Sequence, residues 1–307
     1  MNRPAALAGG ALVLAGASVV AWALAYPQGS LPVTLVRAVA DCAAIVCLGL
    51  SAVPMLDDER YRSAFIGRAT APLSVAGAVW LVAELGRLIL AAAQAAADPI
   101  WRLSVPTTVD FALDTAAGRA GTLGVSAAAA LCVATVAAPR TAPLNLVVAG
   151  LAAVGMTSRL ITGHFFESAL GGPALALHTL AAALWCGALA GLVLTVEHRG
   201  QWARVLPRFS QLSLWCVLAL LLGGTVAAVD RLGSPAELYA TGYGRLLAAK
   251  FAVAVVLVLL GWRNRSIWLP AARTHRTTAV VSRSRSLVEL AVMAVALALA
   301  AGLAATG

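Results

Sequence analysis

Apolar residues along this chain neither alternate nor form a single helical stripe. They come in unbroken runs of about 20, the length an α-helix needs to cross the hydrocarbon layer of a bilayer. Nine such runs fall at about 5–26, 33–55, 69–97, 118–138, 143–163, 172–196, 209–230, 243–262 and 285–305. Pro27, Pro32, Pro139, Pro143, Gly171-Gly172-Pro173, Pro207 and Pro235 sit where one run gives way to the next, as residues that interrupt helices should. The pattern predicts an all-α, polytopic membrane bundle of about nine transmembrane helices, with no internal repeat and no soluble domain. A division into a four-helix segment, 1–140, and a five-helix domain, 141–307, is expected.

Composition agrees. Of 307 residues, 61% are hydrophobic and 11% charged, with a mean hydropathy of +0.89. An ordinary soluble domain is about one-quarter charged. The net charge of +9 does not point to nucleic acid, because the basic residues lie in short segments between apolar runs, where they encode topology. Counted on alternate connections, fourteen arginines fall on one side (3, 60, 62, 68, 140, 199, 204, 208, 263, 265, 273, 276, 283 and 285). Six fall on the other (37, 102, 119, 159, 231 and 245). Cytoplasmic connections retain positive charge, so the N-terminus is expected in the cytoplasm and the C-terminus outside. The apolar stretch after Arg3 resembles a secretory signal but exceeds a signal core, and an uncleaved first helix is expected.

Ionisable groups inside the apolar layer are costly and mark bundle interiors or wet cavities. Here they are Arg37, Asp41, Glu84, Arg87, His178, Lys250 and Glu289. At 1.5 Å per residue, Asp41, His178 and Lys250 lie roughly 10 Å below the external surface, on three different helices. His164 ends the fifth run, and a short Phe-Phe-Glu-Ser-Ala-Leu-Gly-Gly connection leads to the helix of His178. Two imidazoles on adjacent antiparallel helices suit copper, with Glu167 and Met156 as further candidate ligands and Asp41 as a pathway residue. As the alternative, they can be axial ligands of a b-type haem, and a lone intramembrane histidine also serves as a helix–helix hydrogen-bond partner. Arg37 with Asp41, and Glu84 with Arg87, stand at helical spacings that allow mutual neutralisation. Lys250 could snorkel or pair with an acid such as Asp230.

Other features are blander. Cys42, Cys47, Cys132, Cys186 and Cys216 all fall in apolar runs without a CxxC spacing, and read as packing residues. Ala181, Ala182 and Gly187 permit close helix packing. The longest external connection, about 98–117, carries Asp98, Asp110 and Asp114 against Arg102, either to attract a cation or to cap helices. His198 and His275 lie in Arg-rich connections and are expected to be solvated. No nucleophile–base pair, HExxH or phosphate-binding glycine loop is present, so the chain is not expected to be an enzyme.

From about residue 150 the chain resembles the copper-resistance D (CopD) family of bacterial inner-membrane proteins. The resemblance rests on Ser158-Arg159-Leu-Ile-Thr-Gly163-His164, on His178-Thr-Leu-Ala-Ala-Ala-Leu-Trp185-Cys-Gly187 and on Arg208-Phe209-Ser210. It continues with Tyr243-Gly244-Arg245-Leu-Leu-Ala-Ala-Lys250, Asn264-Arg265 and Glu289-Leu290-Ala291. The first four helices resemble the amino-terminal part of longer actinobacterial members, in which a CopD-like half precedes a CtaG-like oxidase assembly half. The resemblance implies copper transport or handling at the bacterial cytoplasmic membrane, with copper held by His164 and His178. A CtaG-like assembly factor or a periplasmic copper chaperone is the implied protein partner, and a noncatalytic scaffold for oxidase assembly is the remaining alternative.

Overall fold

A computed structural model describes residues 3–160, 171–231, 240–274 and 278–306. Its helices are α1 (Arg3–Ala25), α2 (Leu31–Ala52), α3 (Glu59–Ala96), the short α4 (Val105–Asp114), α5 (Ala116–Ala137) and α6 (Ala142–Thr157). There follow α7 (Gly171–Thr195), α8 (Arg199–Arg231), α9 (Gly242–Arg263) and α10 (Ala279–Thr306). Beyond α9 the chain passes through a π-helical stretch, Asn264–Trp268, into a last helical turn, Leu269–Arg273. Among the described residues there are no strands, and nine helices are long and apolar enough to cross a membrane. The protein is a polytopic helical membrane bundle, as the run pattern predicts.

The ends of the helices depart from the apolar runs. α3 begins at Glu59 and is 38 residues long, whereas its apolar run starts near 69. α8 begins at Arg199 and contains Pro207, a residue expected to mark a break. Hydropathy falls at Arg60, Arg62 and Arg68, but arginine is a good helix former, so the backbone continues where the apolar signal stops. Pro207 costs one backbone hydrogen bond without ending the helix. The connection 98–117 is not open loop, since it holds a 3₁₀ turn at Ile100–Arg102 and the whole of α4. Its caps are hydroxyls rather than aspartates: Ser104 accepts from the Thr107 amide at 3.2 Å, and Thr115 from that of Gly118 at 2.8 Å.

Chain alternation puts the α2–α3, α5–α6, α7–α8 and α9–α10 connections at one end, where the arginines concentrate. This is the basic end, and the other is the opposite end. At the centre, α2 packs against α1, α3, α6, α7 and α10. Helices from both sides of residue 140 therefore share one interior. The periphery leaves Leu12, Trp215 and Phe251 exposed, an arrangement that suits lipid contact. Trp101 at the opposite end and Trp262 at the basic end are also exposed, at the levels where aromatic rings anchor a bundle.

α2 and α7 run parallel and touch backbone to backbone. A Cβ built on Gly49 would land on the Gly187 carbonyl, one on Gly187 would land on the Ile45 carbonyl, and one on Gly191 would come 2.5 Å from Val53 Cγ2. Only hydrogen fits at Gly49 and Gly187, where the obstacle is main chain that no rotamer can clear. Gly49→Ala and Gly187→Ala should each destabilise the bundle by about 1–3 kcal/mol through overpacking. Thermal unfolding in detergent should show this as a lowered Tm, while Gly150→Ala, at a position facing open space, leaves the Tm unchanged.

Candidate functional site

Five charged side chains from α2, α3 and the turn after α6 meet near the opposite end. Glu84 on α3 is 2% exposed, and both its oxygens are used. Oε1 accepts from Arg87 at 2.7 Å, and Oε2 accepts from Arg159 at 3.0 Å. The same Arg87 nitrogen reaches across to Asp41 Oδ1 on α2 at 3.1 Å. Arg37, one turn before Asp41, comes within 3.8 Å of its other oxygen and donates to the Ala304 carbonyl of α10 at 3.1 Å. An isolated carboxylate in so apolar a setting would cost several kcal/mol, and two guanidinium partners offset that penalty at Glu84.

Sequence spacing suggests two separate pairs, Arg37 with Asp41 and Glu84 with Arg87. The structure contains both and joins them through Arg87, then adds Arg159, which on sequence counts only as a connection charge. Arg159 turns inward because α6 ends at Thr157 in a 3₁₀ turn, Ser158–Leu160. α5 makes room with glycines: a Cβ on Gly121 would come 3.2 Å from Arg159 Nη2, and one on Gly124 would come 3.2 Å from Glu84 Oε2.

His178 is half-buried on α7 and faces α8. Its Nδ1 donates to the Leu220 carbonyl at 2.8 Å, since a carbonyl can only accept. The proton is thereby fixed on Nδ1, and Nε2 carries the lone pair a metal would use. Gly223 and Gly224 allow the close approach, for a Cβ on Gly224 would lie 2.8 Å from His178 Nδ1. Lys250 on α9 is half-buried and lies within electrostatic range of His178. Among the described residues it has no hydrogen-bond or ion-pair partner, and the side chain of Asp230 lies outside them.

Met156 packs in part against the main core at the end of α6. His164, Glu167 and His275 lie outside the described residues. Among those described, no group of three or more His, Cys, Asp or Glu side chains could hold a metal ion. All five cysteines are free thiols; Cys47, Cys186 and Cys216 are buried.

The basic end holds a second ionic layer. Arg204 of α8 clasps the buried Asp57 with two bonds of 3.0 Å and lies 3.9 Å from the centre of the Tyr61 ring. Arg208 bonds Asp58 at 2.7 Å and holds its exposed carboxyl below the usual carboxylate range. Further in, Asn264 donates to Glu289 at 2.7 Å, and Arg265 donates to the Ser210 carbonyl at 3.0 Å. Glu289 is prominent in sequence as an ionisable group within an apolar run. Its partner Asn264 lies 25 residues earlier, at the end of another helix, and nothing in the sequence pairs the two.

These features define a polytopic membrane protein with a charge-compensated network and a backbone-tethered histidine near one end, and buried polar groups near the other. Two family models match the chain. One, described as Copper resistance protein D, covers residues 203–303, and the other, Copper resistance protein D-like, N-terminal domain, covers 28–168. The chain belongs to the copper resistance protein D family. His178 lies between the two matched stretches, while the ionic network falls within 28–168 apart from its contact with α10. No curated protein and no solved structure was found to match it.

Removing the buried acid should hurt most. Glu84→Ala leaves Arg87 and Arg159 without their shared carboxylate and should cost about 3–5 kcal/mol of stability. Asp41 is 31% exposed, so Asp41→Asn should cost about 1 kcal/mol or less. Thermal unfolding of the two purified variants should rank them in that order.

Proposed function

We propose that this protein binds copper at the opposite end of the bundle and passes it across or along the bacterial cytoplasmic membrane. Family membership supports copper as the cargo. The observation that carries a site for it is the bond from His178 Nδ1 to the Leu220 carbonyl. That bond selects the tautomer with a free Nε2 and fixes the ring, as metal-binding imidazoles require. In this reading His164, in the segment between α6 and α7, brings the second imidazole, and α6 and α7 pack against each other. Met156, near the end of α6, is a candidate thioether ligand, which favours the softer cuprous ion.

Asp41 is engaged with Arg87 and Arg37. In our reading the network therefore maintains the shape of the entrance, and the histidines take the ion. The excess of arginine at the basic end supports placing that end in the cytoplasm, so the histidines would meet copper from outside. No step requires bond-making chemistry, and we propose no enzymatic activity.

Titration of the purified protein with cuprous ion against a competing chelator tests the site. His178→Ala should weaken binding at least tenfold, and Gly224→Ala should weaken it by displacing the ring. Unchanged affinity in both His178→Ala and His164→Ala removes the proposed site.

A further inference from the structure

Among the described residues two glutamates are deeply buried, and they are treated in opposite ways. Glu84 has two guanidinium partners, whereas Glu289, 3% exposed on α10, receives the neutral amide of Asn264. Among the described residues no cation pairs with Glu289. Asn264 opens the π-helical stretch that ends α9, and such widened turns recur at functional positions.

A crevice beside Glu289 is lined by Ser210 and Ser213 of α8 and by Asn264, Arg265 and Trp268. It lies toward the basic end. Arg265 is engaged with Ser210, through the carbonyl at 3.0 Å and the hydroxyl at 3.1 Å. From α7, Cys186 lies within electrostatic range of Glu289. On α10 itself Arg285 stands one turn away, at i−4, without an ion pair to Glu289. On α8, Cys216 is the nearest titratable residue in sequence to Ser213.

A single carboxyl held by one neutral amide is poorly suited to a metal cation, which needs several anionic or neutral oxygen donors. It is well suited to a proton, because a buried carboxylate with no counter-charge is costly and a carboxylic acid is not. We propose that Glu289 is a proton-exchange site, taking up and releasing a proton through the crevice between α8 and the π-helical stretch. Release breaks the carboxyl O–H bond, leaves its electron pair on the oxygen and delivers the proton to water at the basic end. Uptake reverses the step. Asn264 positions the carboxyl, with its amide donating to the oxygen that stays unprotonated. The site gives the bundle the minimum equipment for coupling to a proton gradient, and its existence does not rest on the copper reading.

Infrared difference spectra of the full chain in lipid nanodiscs, taken without copper across a pH titration, test this. The wild type should show a protonated-carboxyl stretching band that disappears as pH rises. Glu289→Gln should lose that band while keeping a wild-type helical circular dichroism spectrum, and Asn264→Ala should shift its midpoint with Glu289 intact. A band unchanged in Glu289→Gln, or no titrating band in the wild type, overturns the assignment. Should Glu289→Gln fail to fold, Asn264→Ala decides alone, and an unmoved midpoint overturns it. Copper affinity plays no part in these readouts, so this site and the histidine site can fail separately.

Discussion

The bundle depends on the contact between α2 and α7, where Gly49, Gly187 and Gly191 let two backbones meet without side chains between them. In a bilayer, lipid tails are as apolar as leucine, so association rests on close packing and polar contacts rather than on escape from water. Because the contact is main chain on main chain, it fixes the axial register of the two helices. That register sets the depth of everything they carry: Arg37 and Asp41 on α2, and His178 on α7. The remaining helices assemble around this pair, with α3, α6 and α10 against α2 and α8 against α7.

Charge is distributed on the same logic of local compensation. At one end, three arginines from three separate segments hold two acids, and at the other Arg204 and Arg208 hold Asp57 and Asp58. Two other groups of the interior, His178 and Glu289, have no ion-pair partner among the described residues. Both of these are held by neutral partners, a carbonyl for the histidine and an amide for the glutamate. A group held by a neutral partner gains no charge compensation from it, whereas the acids of the two ionic layers are each matched by a guanidinium. On the two proposals made above, this difference separates the residues that hold the bundle together from those that take up an ion or a proton.

Much of the architecture is legible in the sequence because bilayer thickness imposes a length on every spanning run. The nine runs, the absence of strands among the described residues and the list of intramembrane ionisable groups all follow from that one constraint. Helix ends are less legible: Arg60, Arg62, Arg199 and Pro207 lower the apolar signal without stopping the backbone. Pairing across helices is harder still. Arg37 with Asp41 and Glu84 with Arg87 are local and show in the spacing, but the Arg87–Asp41 and Arg159–Glu84 links depend on how α2, α3 and α6 rotate against one another. Arg159 is the clearest case, since a 3₁₀ turn carries a residue counted as a connection charge into the interior. Asn264 shows in the sequence only as part of the Asn264-Arg265 motif, and only the fold pairs it with Glu289.

Arg37 ties the carbonyl of Ala304, near the end of α10, into the cluster around Asp41. From Glu289 to Ala304 the helix is unbroken for 15 residues, roughly 22 Å at 1.5 Å per residue. α10 thus acts as a stiff strut, pinned at one membrane face by a guanidinium and gripped near the other by an amide. One piece of backbone therefore sets how far the carboxyl of Glu289 stands from the cluster around Asp41.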